Sequence, residues 1–228
     1  MLRGLSTFEE YDGPVVDAIE FSGKNRGRRL QVAADLKKKA KVLSVHLPVF
    51  QDVKDVPDEL SFDQDDVDYF VAHVTKKCGL SNWEDAWKHY VGHGKKVLFE
   101  NHNQAWHPTD AGIIHAYQFK SLVEAGHELC LDTGHILQSN VSLSRDESEW
   151  RDLCEASFEA FVQLPIAAAH IHTIDRYGGQ DHALEGYDIG PWVKRLVEMH
   201  PDIVLIVEIM DPKRTHEEKL ATLDMWLR

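Results

Sequence analysis

Several acidic residues and histidines of this chain recur at one kind of place, the C-terminal end of a short apolar run. His46 follows Val42–Val45, His73 follows Tyr69–Ala72, and Glu100 follows Val97–Phe99. Asp132 follows Leu129–Leu131, with His135 three residues on. His170 and His172 end the run that starts at Ile166, and Glu208 follows Val204–Val207. A carboxylate at the end of a Val- and Ile-rich run is costly to bury unless it is paired or binds a metal. A single histidine in such a place is more often core or rim, so the weight lies in the constellation. Glu, Asp and His together form an oxygen and nitrogen donor set that suits Zn, Mn, Co or Mg and needs no thiolate. His170 and His172 share a strand face, because side chains alternate along a strand. His172 lies nearer the rim and is taken as the ligand, while His170 orients it or fills the core. Asp132 to His135 reads as a turn that puts two ligand types within one bend.

The elements that must position these residues repeat along the chain. The apolar runs are Leu2–Ser6, Val15–Phe21, Val42–Val49, Asp68–Val74, Lys96–Asn101, Glu128–Thr133, Ile166–Thr173 and Ile203–Ile209. Most lack clean alternation, as strands buried on both faces do. Between them the spacing predicts helices over Arg28–Lys41, Asn82–Val91, Asp110–Ala125 and Glu147–Gln163, then from Pro191 to Pro201 and over Thr215–Leu227. Ser81 with Glu84 three residues on makes a capping box, and Gly126 a C-cap. Alternating strands and helices imply a parallel sheet. Eight strands with almost no leftover segment predict an α/β protein with a (β/α)8 TIM barrel, one compact domain over 1–228. The connection around Glu9–Gly13 leaves its first helix short or missing. An open doubly wound sheet is the alternative, but the chain has neither GxGxxG after the first strand nor GxxxxGK[ST] anywhere. In a barrel of this kind all the strand ends named above meet at one face, where active sites are built.

Bulk properties narrow the function classes. The chain has 228 residues and a formal net charge of −13. That balance counts against nucleic acid, whose binders usually present a basic face. The short basic groups Arg26, Arg28 and Arg29, and Lys37 to Lys39, read as solvated helix faces. Cys78, Cys130 and Cys154 are too few and too scattered for a disulfide framework or a zinc ribbon. No leader-like segment and no run long enough to span a bilayer is present, so the expected location is cytoplasmic, away from membranes.

The motifs resemble one superfamily. Leu98–His102 (LFENH), Leu131–His135 (LDTGH) and His170–Asp175 (HIHTID) come in this order. Asp181 and His182 before Gly186, and finally Ile206–Ile209 (IVEI), complete the series. The set is similar to that of the xylose isomerase-like TIM-barrel superfamily, which holds sugar and sugar-phosphate isomerases and epimerases and the endonuclease IV class, AP endonuclease family 2. The likeness runs from about the third strand to the last.

In the epimerase-like branch the resemblance implies one divalent metal held by Glu100, Asp132, His172 and Glu208. Glu100 and Glu208 then flank a ketose. One removes a proton beside the carbonyl and the other returns one, while the metal stabilises the enediolate charge. Which glutamate does which is left open. His102 and His135 would hydrogen-bond sugar hydroxyls. Arg176 is a candidate for a substrate phosphate, with Lys213 or Arg214 as alternatives.

In the endonuclease IV-like branch more ligands are needed, and His46, His73, His135, Asp181 and His182 are the further candidates. Here Asp181 and His182 are adjacent, where that class separates them by one residue, and adjacent residues on an extended segment point apart. The expected activity is therefore a metal-dependent sugar or sugar-phosphate isomerase or epimerase acting on a small carbohydrate. The alternatives are a zinc phosphodiesterase of the endonuclease IV kind and a non-catalytic metal- or ligand-binding barrel. Assembly as a homo-oligomer is a family-level expectation.

Overall fold

Eight parallel strands close on themselves in chain order. They are β1 (Leu2–Thr7), β2 (Val16–Phe21), β3 (Ala40–His46) and β4 (Tyr69–His73), then β5 (Val97–Glu100), β6 (Leu129–Asp132), β7 (Ile166–Ile171) and β8 (Val204–Val207). The ring closes where Leu2–Leu5 pair with Val204–Val207. The computed structural model describes residues 1–7, 11, 13–22, 34–49, 54, 66–75, 83–92, 94–102, 116–141, 143–174, 186–209 and 213–228, with backbone alone at 86 and 89–92.

Outside the ring, among the described residues, run α1 (Trp83–Gly92), α2 (Lys120–Glu124, entered through a 3-10 turn), α3 (Thr133–Val141), α4 (Glu147–Val162), α5 (Gly190–Met199) and α6 (His216–Trp226). Local chemistry explains their ends. The Asp146 side chain accepts from the Glu149 amide at the start of α4. A complete capping box joins Thr215 and Glu218 at the start of α6. Gly126, at φ +86°, follows α2 in the left-handed conformation that a C-cap glycine supplies. Its amide and that of His127 close onto the Val123 and Leu122 carbonyls.

Two apolar layers result. Strand residues that face outward, such as Phe70, Phe99, Leu131 and Leu205, join the helices in one large cluster. Trp83 and Trp87 of α1 both pack edge-on against Phe99, at 6.1 and 6.4 Å between ring centroids. Removing a ring such as Phe99 costs about 3–5 kcal/mol by the usual truncation scale. Ala18, Val71, Leu98, Cys130, Ala168 and Ile206 belong to a second, smaller cluster. Each stands two residues before Glu20, His73, Glu100, Asp132, His170 and Glu208 respectively. With a period of two, these polar residues share the interior face with that cluster. The barrel thus has an apolar floor and a polar upper interior.

Three expectations need correction. The helix expected to reach Lys41 stops short, because Ala40 already pairs with Val16 and opens β3. The bend expected at Asp132–His135 is the first turn of α3, which starts at Thr133 directly after β6. Of the helix expected over 110–125, residues 116–124 are described and helical, the first four as the 3-10 turn. Ser81, Cys78 and the Arg26–Arg29 group lie outside the described residues. From Thr7 to Val16 the first connection is short, and Tyr11 within it is buried against His216 of α6. No helix among the described residues is long and apolar enough to cross a membrane.

Candidate metal centre at the barrel mouth

Strand register assembles the site. His73 of β4 stands beside Glu100 of β5, Asp132 of β6 beside His170 of β7, and Glu20 of β2 beside Ser44 of β3. All of these side chains except His73 (9% exposed) are fully buried, and Glu208 is 5% exposed.

Glu100 is the hub. Its Oε2 lies 2.9 Å from His46 Nε2 and 3.3 Å from His73 Nε2. Its Oε1 lies 2.9 Å from His170 Nδ1 and 3.7 Å from His135 Nδ1. Burial alone would raise this carboxyl, but His73, His170 and His46 outweigh it and hold Glu100 well below the carboxylate range. His170 is the complementary centre. Its Nδ1 also lies 3.3 Å from Glu208 Oε2, and its Nε2 is 2.9 Å from Glu20 Oε1. Burial would lower this imidazole, yet Cys130, Glu20, Glu100 and Glu208 reverse the sign and hold it well above the histidine range. For His46 burial is again overcome, by Glu100 first, and the ring sits at about 9. His73 goes the other way, because burial dominates and keeps it well below the ordinary value.

Asp132 is fixed by its chain neighbours. Its backbone N–H donates to Asn101 Oδ1 at 2.7 Å, and Asn101 Nδ2 donates back to its carbonyl at 2.9 Å. Its Oδ1 accepts the His135 amide at 2.6 Å, which caps α3. His172 Nε2 lies 3.0 and 3.1 Å from the two carboxylate oxygens. Burial would raise Asp132, but His135 and His172, with His170, pull it well below the carboxylate range. Asn101 is the residue sequence reading passed over. Its one signal was its place immediately after Glu100.

Glu100, Asp132, Glu208 and His170 each offer a donor atom within 4.8 Å of the others. His170, read in the sequence as an orienting or filling residue, is the imidazole in this group. His172 stands against Asp132. His46 and His73 form a second group with Glu100, and His73, His102 and His135 a third. Asp181, His182 and Arg176 lie outside the described residues. Lys213 is exposed and Arg214 half-buried, between β8 and α6.

These residues fit a divalent cation. Glu20, Glu100, Asp132 and Glu208 are four buried acids in one interior, with imidazoles around them. Neutral imidazoles would leave that charge poorly compensated, and a cation among Glu100, Asp132 and Glu208 compensates it. His73 Nδ1 is buried with no hydrogen-bond partner, as a ligand atom without its ion would be.

No family profile matches this sequence, and no curated protein does. Solved structures do match. An AP endonuclease of family 2 from Brucella melitensis is 14% identical, with 96% of each chain covered and a TM-score of 0.58. A xylose isomerase domain-containing protein from Salmonella typhimurium is 12% identical over 92% of this chain and 86% of its own, at a TM-score of 0.55. An L-ribulose 3-epimerase is 12% identical over 100% of this chain and 87% of its own, at 0.54. At this identity the likeness shows the fold alone, a closed eight-stranded parallel barrel.

Proposed function

We propose that this chain is a metal-dependent isomerase or epimerase of a small sugar or sugar phosphate. The observation that carries the reading is the position of two glutamates. Glu100 at the end of β5 and Glu208 just beyond β8 are both buried and both meet His170 Nδ1, at 2.9 and 3.3 Å. With Asp132 they place three carboxylates around one point at the mouth of a barrel. The net charge of −13 suits a small neutral or singly charged substrate better than a polyanion.

Glu100, Asp132 and Glu208 with an imidazole of the seventh strand, His170 or His172, would hold the cation. When bound, a divalent ion there stabilises negative charge on the carbonyl and hydroxyl oxygens of a ketose. The residues of the chain do the rest. One glutamate accepts the proton from the carbon beside the carbonyl, and the other delivers a proton to the opposite face. Asn101 keeps Asp132 and His135 in place through the contacts given above.

A second reading has its own observation. Glu100 belongs to two donor groups, one with His46 and His73 and one with Asp132, His170 and Glu208. Two cations sharing one carboxylate are the arrangement that metal-assisted phosphodiester hydrolysis uses.

The deciding experiment incubates metal-loaded protein with a panel of ketoses and ketose phosphates in deuterated water. Deuterium entering carbon-bound positions, and failing to do so in Glu208→Gln, supports the isomerase reading. No exchange across the panel, together with cleavage of abasic DNA, overturns it in favour of the hydrolase.

A further inference from the structure

The third histidine group has a use that the oxygen-rich centre does not absorb. His73, His102 and His135 form a triangle, with ring centroids 4.6 Å apart for His73 and His102, 5.4 Å for His102 and His135, and 5.8 Å for His73 and His135. All three rings are buried, at 9%, 7% and 7% exposure. One nitrogen of each lies within 4.8 Å of the others.

The neighbours of two of the rings show which nitrogens are available. His135 Nδ1 is 2.8 Å from the Asn101 carbonyl oxygen, which can only accept. Nδ1 therefore carries the proton and Nε2 the lone pair. His73 Nε2 is 3.3 Å from Glu100 Oε2. That is an ion-pair contact, and the other ring nitrogen, Nδ1, is buried and has no hydrogen-bond partner. An imidazole with one N–H on a carbonyl or carboxylate and its other nitrogen open is the arrangement of a metal-ligating histidine.

We propose that His73 Nδ1, His102 and His135 Nε2 form a separate, all-nitrogen cation site. Three imidazoles with a fourth position open to water or an anionic oxygen suit Zn best, and Ni or Cu next, but not Mg or Mn. The oxygen-rich group around Glu100, Asp132 and Glu208 accepts the harder ions. The two sites therefore differ in metal preference, and Glu100 supports the nitrogen site through His73 without ligating it. The inference stands independently of the reaction proposed above.

Equilibrium dialysis against Zn followed by elemental analysis tests it in the full chain. The wild type is expected to hold two equivalents and His102→Ala one, with His46→Ala retaining both. His102→Gln keeps the side-chain volume, so the comparison stands even where His102→Ala fails to fold. Loss of one equivalent in His46→Ala with both retained in the His102 variants overturns the proposal in favour of an ion shared with Glu100. A single equivalent in the wild type and in every variant also overturns it. Because stoichiometry is the readout, an absence of sugar isomerisation leaves this result untouched.

Discussion

Gly134 makes room for the His172 ring: a Cβ placed on residue 134 would stand 1.8 Å from His172 Cε1 and 2.3 Å from its Nδ1. Gly134→Ala must therefore push His172 away from Asp132. Such overpacking costs about 1–3 kcal/mol. Chemical denaturation should show that loss, and Asp132 loses an imidazole partner with it. A variant as stable as wild type with unchanged metal content would mean that the ring moves freely.

Glu100 gathers four imidazoles. Glu100→Gln keeps the shape and removes the charge. Metal content should fall, and turnover of any isomerised ketose should drop by about 10²–10⁴, the range for loss of a positioned acid or base. Glu208→Gln should lose activity on the same scale while leaving the His46 and His73 contacts to Glu100 in place. Steady-state kinetics with metal analysis on both variants is the check.

His170 and His172 can be separated by metal content. His170 is the imidazole grouped with Glu100, Asp132 and Glu208, whereas His172 meets Asp132. His170→Asn is expected to weaken binding at the oxygen-rich centre more than His172→Asn does. Competition against a chromogenic chelator reads the difference, and a larger loss in His172→Asn would assign the ligand to the outer ring.

Removing the metal should cost stability in a measurable way. A ligand at a hundred times its Kd stabilises the folded state by about 2.7 kcal/mol. Chelated protein should therefore melt lower than metal-loaded protein, with recovery on adding the ion back. Equal melting curves would argue against a bound cation.

His46 gives the metal-free protein a pH signature. Its ring is held at about 9 by Glu100, against an ordinary value of 6.5. A raised folded value means that the contribution is fully present below about pH 6.5 and is lost as pH climbs through about 9. Glu100 is shifted down, so its own share is lost only in acid. The stability gap between wild type and His46→Gln should thus shrink from about pH 6 to above 9 in urea titrations. A gap that widens with pH would refute the ion pair.

Much of the fold was legible because strands buried on both faces leave unbroken Val, Ile and Leu runs, and all eight were found. The polar residues read at the ends of most of those runs meet at one mouth of the barrel. α3 was missed for a physical reason. Asp132 is both a strand end and the cap of the next helix, and a sequence shows only an Asp-Thr-Gly-His string that reads as a bend. The relative placement of His170 and His172 was likewise out of reach. Both lie on one strand face, and only ring orientation brings His170 between Glu20 and Glu100. Beyond its place after Glu100, Asn101 gave no sign of holding Asp132 and His135, because hydrogen bonds to the backbone leave no trace in residue type.

Closure of the ring carries a kinetic consequence. The last ladder joins residues 2–5 to residues 204–207, about two hundred positions apart. Entropy opposes such a contact until most of the intervening strands are docked. β1 must wait for β8 to emerge from the ribosome, with one row of amides unpaired. Glu208 lies immediately beyond that strand, so the pairing that closes the ring is also the one that completes the acidic centre.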